Sequence, residues 1–206
     1  MRFLSGNSRL IKIISALFYL PVVIFVAFTS YKQGFSQYYT KSAAVSQDVA
    51  KISQAINYDA TNPEIYKVRG LLFEQDGDYQ AAAAEFKQAI DLRLNDYLFW
   101  LHLGFTNNKL KDFEKAKTAY EKSIELAPNY FQPRQYLGFL YLRQNKPKQA
   151  FTYLSQAVAI KPKLLPEVLQ LAYQIFAGNP IAIENALQLN SVEAKKEMAS
   201  FFIKNN

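Results

Sequence analysis

The sequence predicts an all-α protein in which an N-terminal transmembrane helix is followed by an α-solenoid of antiparallel helix pairs. The chain repeats itself with a period of 34 residues, which is typical of stacked-repeat architectures. Within each period, apolar residues recur every three or four positions in two blocks, so each repeat contains two helices. Ahead of the repeats, the stretch from Leu10 to Thr29 is almost wholly apolar and carries one charge, Lys12.

Composition limits the classes of protein that the chain can belong to. Its 206 residues allow a membrane segment and one domain with its own core. The absence of cysteine excludes disulfides, thiolate metal sites and a cysteine nucleophile. The formal net charge is +7, but Arg2, Arg9 and Lys12 precede the apolar stretch, and the other basic residues are dispersed among acidic ones. We therefore expect no nucleic-acid partner.

Residues 10–30 are predicted to form a single membrane anchor that contacts lipid, because about 20 apolar residues cross the hydrocarbon layer. Pro21 would introduce a kink that a membrane helix tolerates. The basic flank, residues 1–9, predicts a cytoplasmic N-terminus and an exported, periplasmic or extracytoplasmic, remainder. A cleaved signal peptide is the alternative, although Ala27–Ser30 offers no small-x-small cleavage motif. Residues 31–42 would form a juxtamembrane linker.

The repeat register defines a helical array over residues 43–206. Small residues at two fixed positions let paired helices approach closely, and larger side chains fill the space beside them. Proline near the end of the second and third full repeats stops the second helix there. The recurring residues are Gly70, Gly104 and Gly138; Ala82, Ala116 and Ala150; Phe86 and Tyr120; and Pro128 and Pro162. The predicted units are a half repeat (43–62), full repeats (63–96, 97–130 and 131–164), and a degenerate repeat with capping helices (165–206).

This pattern resembles the tetratricopeptide repeat (TPR), and the chain resembles a membrane-anchored member of that family. Leu94, Arg69 and Asn107 depart from the family pattern at single positions without shifting the register. The resemblance implies a right-handed superhelix in which the first helix of each pair lines a concave groove. The residues that carry the resemblance in the second repeat are Trp100, Leu103, Gly104, Ala116, Tyr120 and Pro128.

The resemblance also places specific side chains in the groove. Apolar residues at its centre and polar ones at its rim predict a mainly apolar protein partner, either a peptide or a helix. Alternatively, Phe105 and Phe139 pack against adjacent repeats or against residues 30–60. Only Lys67 matches the clamp with which chaperone-binding members hold a carboxylate, so we expect no chaperone tail. The predicted groove residues are Lys67, Leu71, Leu98, Leu101, Phe105, Asn108, Gln135, Phe139 and Leu142.

No motif for catalysis or for cofactor binding is found. His102 is the one histidine and has no predicted catalytic partner, and phosphate loops and metal-ligand spacings are missing. Carboxylate pairs such as Glu121 and Glu125 are interpreted as solvated surface. We therefore predict no catalytic residues, no metal, no cofactor and no enzymatic activity.

The predicted function is a membrane-tethered interaction scaffold or assembly factor that binds its partner in the groove. One alternative is a cytoplasm-facing TPR receptor for protein targeting, which requires the opposite orientation. Another is an accessory subunit of a membrane complex. The sequence makes no prediction about the oligomeric state.

Overall fold

The computed structural model describes residues 4–189 and 191–205, with side chains described from Leu17 onwards. Within these ranges every regular element is helical, which confirms the all-α prediction. A short 3₁₀ helix, Pro162–Leu164, precedes α9. The α-helices are α1 (Leu4–Ser46), α2 (Val49–Tyr58), α3 (Pro63–Asp76), α4 (Tyr79–Leu92), α5 (Tyr97–Lys109), α6 (Phe113–Leu126), α7 (Gln132–Arg143), α8 (Pro147–Ile160), α9 (Leu165–Ile175), α10 (Pro180–Leu187) and α11 (Val192–Asn205).

The prediction of a transmembrane anchor is not supported by helix α1. In the part of the chain with described side chains, no helical stretch is both long and apolar enough to cross a bilayer. The predicted localisation, a single-pass membrane protein with an exported array, is therefore wrong. The basic flank and residues 10–16 lie outside the described side chains.

The second half of α1 is part of the helical array. Residues 31–42, which the sequence analysis assigned to a linker, are helical and continuous with the rest of α1. This half of α1 packs against α2. Ser36 is fully buried and lies 34 residues before Gly70, so it occupies the position at which the later repeats have a small residue. The first helix of an additional N-terminal pair is therefore present.

The helix pairs α3/α4, α5/α6 and α7/α8 form the regular part of the solenoid. Aspartate or asparagine side chains cap the N-termini of α3, α4, α5 and α6 by accepting backbone N–H groups, as Asn62 does from Glu64 at 3.0 Å. Each pair is joined by a tight turn with a left-handed residue at the same repeat position. These residues are Gly77 (φ 79°), Lys111 (φ 63°) and Asn145 (φ 55°).

The glycines of the repeat lie where the two helices of a pair approach most closely. A Cβ atom on Gly104 would come within 2.5 Å of Cδ1 of Tyr120, so no larger residue fits without a shift of the ring. Gly70 has the same relation to the ring of Phe86, and Gly138 to the side chain of Leu154. The alanine positions on the second helices, Ala82, Ala116 and Ala150, are fully buried.

The other repeat residues lie at helix ends. Trp100 is half-buried, and its Nε1 donates a hydrogen bond to the carbonyl of Leu94 at 2.8 Å. Pro128 is exposed and follows α6, and its carbonyl accepts a hydrogen bond from Arg134 Nη1 at 2.7 Å. Pro162 begins the 3₁₀ helix after α8.

The C-terminal end departs from the regular arrangement. Helix α10 contacts both α8 and α9, while α11 packs on α9. The contact with α11 is aromatic, because Tyr173 lies 5.8 Å from Phe201 and 6.2 Å from Phe202 between ring centroids. No residue of α11 is fully buried in the described structure. This helix therefore covers the apolar end of the solenoid with a shallow interface.

Candidate partner-binding groove

The first helices of the repeats lie on the same side of the array. Helix α1 contacts α3, and α5 contacts α7, in addition to the contacts between consecutive helices. All nine predicted groove residues belong to these first helices. Lys67 and Leu71 are on α3, Leu98, Leu101, Phe105 and Asn108 are on α5, and Gln135, Phe139 and Leu142 are on α7.

The predicted groove residues differ in how far they are exposed. Leu101 and Asn108 are buried, with 4% and 9% of their surface exposed, whereas the other seven are partly exposed. A buried residue can support a groove but offers little surface to a partner. The partly exposed residues, including Phe105 and Phe139, are the ones that a partner could contact.

The apolar residues of this surface are divided among three packing clusters. Leu71 packs against the N-terminal cluster, which is centred on α2 to α4. Leu98 and Leu101 belong to a central cluster around Tyr120. Phe139 and Leu142 pack against the C-terminal cluster formed by α8, α9 and α10. The surface is therefore a row of apolar patches that follows the repeats.

Both groove aromatics pack against other side chains of the array. The ring of Phe105 lies 6.0 Å from that of Tyr136 on α7, and Nζ of Lys109 lies 5.2 Å from the Phe105 ring centroid. Phe139 packs against the cluster that contains α9. Such contacts were expected if these aromatics pack against adjacent repeats, although each retains a partly exposed face.

A polar contact joins α3 to α5 at the base of this surface. Thr106 Oγ1 lies 2.6 Å from Glu74 Oε1 and 2.8 Å from the backbone oxygen of His102, so its one hydroxyl proton is shared between these two acceptors. His102 Nδ1 lies 3.5 Å from Glu74 Oε2, and the His102 ring stacks on Phe86 with centroids 5.2 Å apart. His102 is therefore held by packing against a core ring, next to a carboxylate of which 11% is exposed.

A second polar contact joins α5 to α7 one repeat later. Arg143 Nη1 donates a hydrogen bond to Asn108 Oδ1 at 2.9 Å, and it lies 3.3 Å from the backbone oxygen of Asn108. The guanidinium is also positioned over the ring of Phe113, 5.8 Å from its centroid. Asn108, which was predicted as a groove residue, therefore uses its side-chain oxygen within the array.

Two tyrosine hydroxyls are close to these polar contacts. Burial raises the pKa of Tyr120. The nearby Asn108 side chain and the charge of Arg143 lower this pKa, whereas Tyr136 and Glu74 raise it further. Burial also raises the pKa of Tyr136, followed by the effect of Glu74. Tyr120 Oη forms no hydrogen bond among the described residues.

Thr106 and Tyr136 were not among the predicted groove residues, although both take part in contacts between first helices. A signal for Thr106 was present, because the residues one repeat before and after it are Leu72 and Leu140, both buried. A hydroxyl in an otherwise apolar column indicates a buried polar partner. The identity of that partner, Glu74, depends on the offset between neighbouring helices, which the period alone does not specify.

A cavity of about 410 Å³ opens between α1 and α3 at the N-terminal end of the row. Its lining includes Thr40 and Lys41 from α1, and Glu64 and Val68 from α3. The hydroxyl of Thr40 donates to the backbone oxygen of Ser36 at 2.7 Å within α1, instead of bridging to α3. The cavity shows that α1 and α3 are not closely packed at this point.

Comparison with protein families identifies the repeats. A family model described as "Tetratricopeptide repeat" matches residues 63–96 and 97–130, and a second model with the same description matches residues 119–152. The chain is 28% identical over 106 residues to the "Peroxisomal targeting signal receptor" of Saccharomyces cerevisiae, over 52% of this chain and 17% of that protein. It is 25% identical over 118 residues to "Anaphase-promoting complex subunit 3" of Schizosaccharomyces pombe, over 57% of this chain and 18% of that protein.

Solved structures show the same fold at low sequence identity. A "Crystal structure of MamA protein" superimposes with a TM-score of 0.64 and 16% identity, over 84% of this chain and 95% of that one. "MamA 41-end from Desulfovibrio magneticus RS-1" gives a TM-score of 0.63 and 17% identity, over 84% and 94%. The chain spans less than a fifth of the length of the curated relatives named above. The chain therefore contains TPRs, and its fold is an all-helical solenoid.

Proposed function

Because the chain carries TPRs, the repeats of protein-interaction scaffolds, we propose that it is a non-catalytic scaffold that binds a segment of a partner protein. The binding surface is the concave row formed by α3, α5 and α7. The observation that supports this proposal is the line of partly exposed apolar side chains on successive first helices: Leu71, Leu98, Phe105, Phe139 and Leu142. Apolar surface that recurs along a row suits a partner that extends along it.

The partner is a peptide or an amphipathic helix with apolar side chains at regular spacing. Within the described chain the regular elements are helices, so strand addition to a sheet edge is not an available mode of binding. The patches belong to separate clusters, which favours a ligand with several anchors over a compact one. The polar residues Lys67 and Gln135 would lie at the rim. The repeat boundaries 63–96, 97–130 and 131–164 are proposed as the units of this surface.

The experiment is a binding comparison between the full-length protein and a Phe105→Ala, Phe139→Ala double variant. Proteins retained on the immobilised wild-type chain are quantified by mass spectrometry, and the affinity of each is then measured with purified partner. We expect the double variant to lose at least about thirtyfold in affinity, since even one aromatic anchor that the partner covers contributes about 2 kcal/mol.

The matched control is Tyr153→Ala on α8, a half-buried aromatic on a second helix. This control tests whether replacing an aromatic side chain outside the groove also weakens binding, through a general loss of stability. Equal retention of all partners by the wild type and the double variant, with both folded, would remove the groove from the proposal. Phe105 and Phe139 would then act only in packing between repeats.

A receptor for a short targeting signal is a second candidate function. The matching relative from Saccharomyces cerevisiae bears the name of such a receptor, and the match covers about half of this chain. A receptor would bind many unrelated proteins through one short shared segment, whereas a scaffold would bind a fixed set. Deletion mapping of the retained partners distinguishes the two, because a receptor requires the same short motif in each of them.

A further inference from the structure

We infer that Glu74 is the anchor for a basic side chain, lysine or arginine, on the segment that the groove binds. This inference rests on the proposed function, since it specifies the chemistry of the partner at one place on the same surface. The site lies between α3 and α5 and is formed by Glu74, His102 and Thr106. The neighbouring groove residues, Leu101 and Phe105, are uncharged.

Glu74 is a nearly buried carboxylate without a lysine or arginine partner among the described residues. Its side chain is 11% exposed, and no Lys or Arg nitrogen within the described part of the chain lies within 4.0 Å of its oxygens. Thr106 supplies one hydrogen bond, and His102 stands at 3.5 Å. A buried carboxylate is costly unless it is paired with an opposite charge, so this position favours an incoming cation.

The same position in the next repeat is occupied by a residue that binds a cation. Asn108 lies 34 residues after Glu74, and its side-chain oxygen accepts a hydrogen bond from the guanidinium of Arg143 at 2.9 Å. The repeat therefore places a cation on this position when the side chain there is a neutral amide. At Glu74, where the side chain is an acid and the attraction is stronger, no guanidinium is present among the described residues.

The cations on the helices around the site interact with other groups. Lys109 is the repeat equivalent of Arg143, but its Nζ lies over the rings of Tyr79 and Phe105, at 5.9 and 5.2 Å. Lys67 is paired with Glu64, and Arg143 is bound to Asn108. Each of the nearby cations thus has an interaction of its own, and the carboxylate of Glu74 stays available to the partner.

A buried tyrosine hydroxyl of the central cluster also lacks a partner. Tyr120 is fully buried, and its Oη lacks a hydrogen-bond partner among the residues that the structure describes. The ring of Tyr120 lies 6.0 Å from that of Tyr136 between centroids, and burial raises the pKa of the Tyr120 hydroxyl. A buried hydroxyl without a partner indicates a polar network that lacks a member.

The test uses a displayed library of random 15-residue peptides, selected in parallel on immobilised full-length wild type and on Glu74→Gln. Glutamine keeps the size of the side chain and its hydrogen bond from Thr106 but removes the charge. Glu121→Gln on α6 is the matched control, because that carboxylate is exposed on a second helix. We expect the wild type and the control to enrich Lys or Arg at one fixed position between apolar residues, and Glu74→Gln to lose this preference.

Affinities of the selected peptides then quantify the effect. Replacing the enriched basic residue by norleucine should weaken binding to the wild type about tenfold and binding to Glu74→Gln by less than about twofold, because the charge-assisted hydrogen bond contributes in the wild type alone. Apolar peptides without a basic preference, or the same preference on both proteins, would overturn the inference and leave the groove proposal intact. No enrichment at all would reject both.

A second measurement tests whether Lys109 neutralises Glu74 in solution. Urea midpoints are compared for the wild type, Glu74→Gln, Lys109→Ala and the double variant. The structure predicts additive shifts, since the two side chains are not paired. A clearly non-additive double variant would show that the carboxylate already has its cation within the chain, and the inference would fail.

Discussion

At the scale of single residues, the repeat depends on small side chains at points where two helices touch. The backbone at Gly104 approaches the ring of Tyr120 so closely that an added Cβ would lie 2.5 and 2.6 Å from its Cδ1 and Cε1 atoms. Gly34, in contrast, lies in exposed helix, and nothing is within 4 Å of the place where its Cβ would be. Alanine is therefore expected to destabilise the protein at Gly104 and to stabilise it at Gly34.

We predict that Gly104→Ala destabilises the protein by about 1–3 kcal/mol, because a close-packed contact becomes overpacked. Gly34→Ala should stabilise it by about 0.5–1 kcal/mol, because alanine is the better helix former and meets no neighbour. Urea denaturation followed by circular dichroism measures both. Similar changes in the free energy of unfolding for the two variants would contradict the packing described for the repeat glycines.

Tyr120 offers a second test at this scale. Its position in the first full repeat is taken by Phe86, so the ring fits there without a hydroxyl. We predict that Tyr120→Phe stabilises the protein by about 1 kcal/mol at neutral pH, because it removes a buried donor without a partner. A loss of stability would show that the hydroxyl is hydrogen-bonded after all.

The same residue predicts a pH dependence. The pKa of Tyr120 is raised in the folded state, mainly by burial. A group with a raised folded-state pKa favours folding below its unfolded pKa of about 10, and that contribution is lost as the pH rises further. The stability advantage of Tyr120→Phe over the wild type should therefore grow above about pH 10. Urea titrations at pH 8 and pH 10.5 provide the comparison.

At the scale of helices, the two ends of the array differ from its centre. Helices α3 to α8 follow the repeat, whereas α11 is held to α9 mainly by Phe201 and Phe202 against Tyr173. In a solenoid each unit contacts only its neighbours, so damage at one end stays local. The C-terminal helices should therefore respond separately from the centre.

We predict that Phe201→Ala combined with Phe202→Ala increases amide hydrogen exchange in α9 and α11 and leaves α3 to α6 unchanged. Each ring contributes apolar area to a shallow interface, so local opening is expected before global unfolding. Exchange followed by mass spectrometry resolves the helices. Uniform acceleration along the array would contradict a nearest-neighbour solenoid. Met198→Leu, a conservative change on the same helix, serves as the control.

At the scale of the whole molecule, the 34-residue period in the sequence was sufficient to predict that the regular part of the fold consists of stacked helix pairs. Gly70, Gly104 and Gly138 placed the helix pairs in the correct register, because close approach requires a small residue at each repeat. The continuation of α1 through Ser46 was not predicted, since Ser36 takes the place of glycine and the register is hard to see. The membrane prediction failed, because no apolar stretch among the described side chains is long enough to cross a bilayer.

The binding surface could be predicted less completely than the fold. The period placed Phe105 and Asn108 on a first helix, but it did not show that Asn108 binds Arg143 or that Phe105 meets Tyr136. Those contacts depend on how far one helix is shifted relative to the next. Such offsets result from packing between repeats, and the spacing within one chain does not contain them.

The central claim is that the row formed by α3, α5 and α7 receives a segment of a partner protein. Hydrogen exchange of the full-length protein, with and without a peptide selected on it, tests this claim most directly. We predict that the bound peptide slows exchange in α3, α5 and α7 and has little effect on α4, α6 and α8. Protection confined to the second helices, or to the N-terminal half of α1, would contradict the account.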